Sequence, residues 1–232
     1  YSLYNENNKP TISEGQVIYA KNIYTYNGND YVSSITSLSY NKIDDITELQ
    51  NITGGNYYII TNDIDASSFT ESIDNFSGTL DGGYHTISGL TKPLFKTLNN
   101  GTVKNVVLDN VQLSSAVTVN DTECLGAIAA YASGNTKIYN CGILSKDGAS
   151  SVSGGDNTGS LVGYITGNTR VVNNYSYANV SGEGYVGGIV GRVAGTALSN
   201  SNYSNDNHCA VTNNMYYGDL PSTSNVSNVS NV

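Results

Sequence analysis

The sequence predicts an all-β fold, a right-handed parallel β-helix (solenoid) with a short capping segment, and three observations carry that reading. The composition is one of turns and strands: 32 Asn, 28 Ser, 21 Thr, 25 Gly and 19 Tyr among 232 residues, with 3 Pro and 1 Met. One unit recurs four times with part of its spacing kept. Apolar runs such as Val106-Val107-Leu108 are short and interrupted by Gly and Asn, which suits strands that bury a face only by stacking.

Each unit opens on an aliphatic anchor in Pro93-Leu94-Phe95, Ala127-Ile128-Ala129, Ser160-Leu161-Val162-Gly163 or Gly188-Ile189-Val190-Gly191. A polar turn containing Gly101, Gly134, Gly167 or Gly195 follows, then an apolar residue, any residue, and Asn: Val103-Lys104-Asn105, Ile138-Tyr139-Asn140, Val171-Val172-Asn173 and Leu198-Ser199-Asn200. Anchor and Asn are 11, 12, 12 and 11 residues apart, whereas the distance from each Asn to the next anchor varies over 23, 21 and 16. Stacked strands must keep register while connecting loops lengthen at small entropic cost, so a fixed half with a variable half is the pattern of a solenoid. Leu94, Ile128, Leu161 and Ile189 then form one inward column, and Val103, Ile138, Val171 and Leu198 another. Asn105, Asn140, Asn173 and Asn200 are expected to stack at a corner that demands the left-handed conformation, which Asn tolerates.

Residues 1–42 lack the unit and read as an N-terminal cap or the remnant of a preceding module, with strands at Gln16-Val17-Ile18-Tyr19 and Asp30-Tyr31-Val32. Residues 43–220 are the predicted β-helix. In its opening coils, Ile46, Leu49 and Ile52 share the face of a short helix placed to cover the end of the column, and Tyr57-Tyr58-Ile59-Ile60 is a strand. Residues 221–232 repeat Ser-Asn-Val every three residues and read as a low-complexity linker tail. The chain opens on Tyr1 with no basic and apolar leader, which reads as a mature or excised piece of a larger protein.

Ser160-Leu161-Val162-Gly163 and Gly188-Ile189-Val190-Gly191, followed ten and nine residues after the anchor by apolar-X-Asn, resemble the GLUG repeats of bacterial surface proteins. Phe76-Ser77-Gly78-Thr79-Leu80-Asp81-Gly82-Gly83-Tyr84-His85-Thr86-Ile87-Ser88-Gly89-Leu90 resembles the lead-in to such repeats. That lead-in occurs in β-helix regions of adhesins and in the non-catalytic N-terminal part of IgA-protease-like (M26) proteins. The resemblance spans residues 43–218; Leu94 and Ile128 lack the flanking glycines and are repeats by spacing. It implies a parallel β-helix on a cell surface, secreted, within a larger surface protein, and it carries no catalytic residue to transfer.

Charge narrows the function classes. With 10 Lys+Arg against 19 Asp+Glu the formal net charge is −9, so a basic nucleic-acid face is excluded, and no apolar window is long enough for membrane insertion as a helix. Gly182-Glu183-Gly184-Tyr185-Val186-Gly187 matches GxGxxG, but the Gly188-Ile189-Val190-Gly191 that follows cannot open the helix a dinucleotide site needs, so it reads as a β-turn. His85 and His208 lie in no zinc spacing; His85, beside Asp81, reads as a hydrogen-bonded turn residue.

Asp63, Asp65, Asp74 and Asp81 are the local concentration of acids, and Asp63 and Asp65 share a strand face. With Lys92 as the nearby cation and no Arg before Arg170, they read as solvated turn carboxylates in preference to a Ca²⁺ site or a catalytic pair. The expectation is therefore no catalytic, cofactor-binding or metal residue. Cys124, Cys141 and Cys209 allow at most one bridge among themselves, and a buried pair with a free thiol is equally compatible. Nine Asn-X-Ser/Thr sites, from Asn51 to Asn228, are close to the number such a composition yields by chance.

Tyr57, Tyr58, Tyr131, Tyr139, Tyr164, Tyr175, Tyr177, Tyr185 and Tyr203 are the candidate contact residues, since those pointing outward are placed to stack on sugars or pack on a partner. The loops Ser114 to Glu123, Ser145 to Thr158 and Ser181 to Tyr185 are the expected recognition side. The leading functional expectation is a non-catalytic adhesin-like module binding a glycan or protein of a host or neighbouring cell. The alternative is a polysaccharide-processing β-helix enzyme or the accessory region of a larger secreted protease.

Overall fold

Tyr58, Leu80, Val103, Ile138, Val171 and Val211 follow one another across a single parallel ladder, one from each successive pass of the chain. The computed structural model describes residues 40–146, 149–194 and 209–220, together with the strand backbones among residues 2–39. Two compact units divide the chain, Tyr1–Lys42 and Ile43–Val232. In the first, Gln16–Ala20 pairs antiparallel with Ile35–Ser39, and Ser2–Leu3 and Ile23–Tyr26 flank Asn29–Val32, also antiparallel.

The second unit is mostly β and mostly parallel. Its first sheet takes one strand per circuit in chain order: Tyr57–Ile60, Thr79–Asp81, Thr102–Lys104, Lys137–Tyr139, Arg170–Val172 and Ala210–Thr212. A second sheet runs through Ile64–Asp65, Thr86–Ser88, Val107–Asp109, Gly142–Ile143, Tyr175–Ser176 and Met215–Tyr216. A third contains Phe95–Asn99, Ala129–Ser133, Val162–Ile165 and Val190–Val193. Neighbouring circuits lie one strand spacing apart, about 4.8 Å. Each strand has two to five residues, so burial comes from stacking rather than from any one element.

The third sheet's register places Leu94, Ile128, Leu161 and Ile189 at equivalent positions, one residue before each aligned strand pair, and all four are buried. Leu80, Val103, Ile138 and Val171 form the facing column with no solvent exposure. Phe76 stacks on Phe95 with centroids 4.9 Å apart, filling the core of the early circuits. At the opening, Asp45 caps the helix Ile46–Gln50 by accepting from Glu48 N–H, and Glu48 reaches back to Asp44 N–H. That helix and the turn after it bury Leu49 and Ile52 in the same core.

The corner asparagines adopt the left-handed conformation, with φ of 54° at Asn105, 53° at Asn140 and 57° at Asn173. Asn140 Nδ2 donates to Asn105 Oδ1 at 3.5 Å, and Asn105 Nδ2 donates to Asp81 Oδ1 at 2.9 Å. Asn140→Val should cost about 1–2 kcal/mol, because a β-branched residue is strained there, whereas Asn140→Gly keeps the corner; urea melts of both variants check the difference.

Two expectations need correction. The fourth members of the columns were expected at Leu198 and Asn200, which lie outside the described residues. Val211 occupies the place after Val171, and Asn213, with φ of 54°, follows as the corner. The variable halves, expected as loops, carry further ladders. Gln112–Leu113, Ser151–Ser153 and Asn179–Ser181 pair in parallel. Val117–Val119 forms a hairpin with Thr122–Leu125, which continues in parallel into Asn157–Gly159 and Tyr185–Gly187. Buried Val152, Val180 and Val186 anchor these strands. The tail 221–232 lies outside the described residues.

Candidate binding surface

Gly163 and Gly191 set the geometry of the surface. A methyl group on Gly163 would lie 2.5 Å from Leu125 N, and one on Gly191 would lie 2.5 Å from Thr158 N. The sheet containing Thr122–Leu125, Asn157–Gly159 and Tyr185–Gly187 therefore meets the start of the third sheet backbone to backbone, with no side chain between them. That contact brings Tyr185 beside the outward row of the third sheet.

The row is Thr97, Tyr131, Tyr164 and Arg192, one residue per circuit at a shared register position. Tyr131 meets Tyr164 edge to face at 5.4 Å and 87°. The Arg192 guanidinium sits 5.0 Å from the Tyr164 ring centroid and 4.7 Å from that of Tyr185, so the cation is held by two ring faces. A second aromatic patch lies on the second sheet, where Tyr177 and Tyr217 stack at 4.7 Å and 12° beside Tyr175 and the exposed Met215.

Register sorts the remaining tyrosines. Tyr58 points inward, its hydroxyl donating to Thr53 O. Tyr57 points outward and donates to Asp81 at 3.0 Å. Tyr139 is half-buried on the first sheet, and Tyr203 and His208 lie outside the described residues. All three Phe are buried, so the half-exposed rings carry a hydroxyl.

The acids do not converge. Asp63 accepts from Thr86 N–H at 2.8 Å and pairs with His85 at 3.4 Å, and the Thr86 bond holds its carboxyl below the usual range. The hydrogen-bonding partner of His85 is thus Asp63, one circuit back. Asp65 caps Ser67 N–H, and Asp74 binds Thr97 and Lys96. No group of three or more metal-ligating side chains occurs among the described residues.

Asp81 is the most enclosed of the four. Lys104 Nζ lies 3.0 Å from Asp81 Oδ2, with both side chains 14% exposed, and Gly83 N–H and Asn105 supply further bonds. Lys96 and Lys104 therefore join Lys92 as cations of the acidic region, a correction to the expectation that Lys92 stood alone there. Burial works against the charged form of Asp81, but Asn105, Gly83 and Lys104 outweigh it and hold the carboxyl below its ordinary range. Burial likewise opposes the charge on Lys104, and the bonds to Tyr57 and Asp81 outweigh it, so its ammonium is held above the usual range.

A lowered carboxyl stabilises the fold above its unfolded pKa, about 3.9, and the contribution fades as pH falls through the folded value. The raised lysine contributes below its unfolded pKa, so both terms are complete at neutral pH. The stability difference between the native chain and Asp81→Asn should hold constant above about pH 5 and shrink below about pH 4. Urea unfolding at several pH values measures it, and a difference that grows towards acid would refute the clamp.

Cys124, Cys141 and Cys209 are all free, and burial pushes the Cys124 and Cys141 thiols up to about 12, so neither is a nucleophile at neutral pH. The GxGxxG segment forms a turn into the strand Tyr185–Gly187, without a helix.

Stacked parallel sheets with almost no helix define the class as a β-rich, parallel-ladder fold. More particularly, the chain belongs to the family of the M26 IgA1-specific metallo-endopeptidase N-terminal region, whose profile matches residues 11–144. The crystal structure at 1.30 Å resolution of a candidate immunoglobulin A1 protease from Bacteroides ovatus is 18% identical, with a TM-score of 0.47, covering 78% of this chain and 67% of its own. No curated protein matches the chain. No helix among the described residues is long and apolar enough to cross a membrane.

Proposed function

We propose that the chain is a non-catalytic, right-handed parallel β-helix module, the accessory region of a larger secreted or cell-surface protein of the protease type, and that it holds a glycan or protein partner. The observation that carries the reading is the outward row of Tyr131, Tyr164 and Arg192, repeated at one register position on successive circuits. A stacked fold offers such a row at no cost to its core, since core and contact residues alternate along each strand. Membership of a family defined on an N-terminal region supports the accessory role.

The test is incubation of the chain with immunoglobulin A1 and with neutral and acidic polysaccharides, read by mass spectrometry for cleavage and by surface plasmon resonance for binding. Binding of one of these without turnover is the expected result. Turnover abolished by Asp63→Ala or Asp81→Ala would overturn the reading in favour of a β-helical enzyme.

A further inference from the structure

We propose that Tyr131, Tyr164, Arg192 and Tyr185, together with the amide of Asn157, form a binding site for a neutral oligosaccharide; the proposal rests on the binding-module reading and names its ligand class. The rings and the guanidinium make one unbroken run from Tyr131 to Tyr185, with separations of 5.4, 5.0 and 4.7 Å. Aromatic faces pack against the C–H faces of pyranose rings. The guanidinium, fixed by the rings, keeps its N–H edge for hydroxyl oxygens. Successive positions in the row are about 4.8 Å apart, near the advance of one hexose in an extended chain.

Asn157 supplies the independent observation. It lies between Cys124 and Tyr185 in one cross-strand row, so the three side chains share a face. Its residue is 1% exposed, and its Nδ2 donates to Glu123 O at 2.8 Å, which fixes the amide orientation. Its Oδ1 is the one buried side-chain polar atom without a hydrogen-bond partner among the described residues. A buried acceptor without a donor is costly and rare in a folded protein. A sugar hydroxyl would supply the donor it lacks, and Tyr185, the next residue in the row, is 42% exposed.

Charge decides between neutral and acidic sugars. Glu123, Asp156 and Glu183 lie in this sheet and its turns, against Arg192, and the chain carries −9 overall. An anionic glycan meets that field as repulsion. A neutral polyol uses donors and acceptors alike and suffers no such penalty.

The test presents the whole chain to immobilised neutral hexose and N-acetylhexosamine oligosaccharides and to their uronate- and sialate-bearing counterparts. Neutral glycans should be retained. Tyr164→Ala and Arg192→Gln should each weaken retention by about tenfold, while Tyr217→Ala in the second patch leaves it unchanged. Circular dichroism confirms that each variant is folded, and Arg192→Gln, which removes no core group, decides the matter if Tyr164→Ala is not. Preference for acidic glycans, or no retention of neutral ones, overturns the proposal. Retention indifferent to Tyr164 and Arg192 overturns this site yet leaves the binding module intact, whereas cleavage of the probe overturns the module itself.

Discussion

Leu161→Ala is expected to lower the free energy of unfolding by about 2–5 kcal/mol. Leu161 has no solvent exposure and lies between Ile128 and Ile189 in the column, with backbone bonds from Ile128 N–H to Leu161 O and from Leu161 N–H to Ile189 O. Truncation leaves a cavity whose floor and ceiling are held by those ladders, so the walls cannot collapse into it. Urea denaturation measures the loss. A cost near that of an exposed substitution, under about 0.5 kcal/mol, would contradict the column.

Gly163→Val should be at least as damaging, for the opposite reason. The added atoms have no room: the first would lie 2.5 Å from Leu125 N and 2.7 Å from Ala130 O, both backbone atoms of neighbouring strands. Backbone in a ladder cannot rotate away as a side chain can, so relief requires separating two sheets. Overpacking typically costs about 1–3 kcal/mol, and a clash with fixed backbone on two strands puts this substitution above that range. It should also move Tyr185 away from Arg192, which a tyrosine fluorescence change independent of global unfolding would report. An unchanged melting temperature would show that the sheets are not in contact there.

Much of the architecture was legible because spacing survives composition. The anchors Leu94, Ile128, Leu161 and Ile189 and the corners Asn105, Asn140 and Asn173 keep their separations, since strands in register cannot slip. The fourth corner was assigned to Leu198-Ser199-Asn200, but Val211-Thr212-Asn213 carries the same apolar-X-Asn pattern and is the segment that pairs after Val171, and a sequence offers no way to choose between two copies of one pattern.

The extra ladders were hidden for another reason. Strands such as Ser151–Ser153 and Asn179–Ser181 bury a single valine between polar neighbours, too little for a period to be measured. Ion pairs could not be read from proximity in sequence. His85 reads in the sequence as a hydrogen-bonded turn residue beside Asp81, and in stacked circuits its partner, Asp63, is a full circuit distant. Asp63 with His85, Asp74 with Lys96 and Asp81 with Lys104 are 22, 22 and 23 residues apart. The aromatic run from Tyr131 to Tyr185 depends on the same across-circuit register, and only its tyrosines, not Arg192 or Asn157, stood out by residue type.

The corner asparagines bear on how the chain ages. Spontaneous deamidation requires the backbone nitrogen of the following residue to attack the side-chain carbonyl of Asn, and a chain with 32 Asn offers many openings. After Asn140 that nitrogen belongs to Cys141 and donates to Asn174 Oδ1 at 2.9 Å; after Asn173 it belongs to Asn174 and donates to Asn214 Oδ1 at 2.9 Å. Asn100, which precedes a glycine, has its carbonyl held by Asn135 N–H and its amide by Asn99. The side-chain amides of Asn174 and Asn214 thus keep the attacking nitrogen engaged at Asn140 and Asn173, and at Asn100 the attacked carbonyl is itself held, which shields these three residues from the chemistry that would convert them to aspartate and isoaspartate.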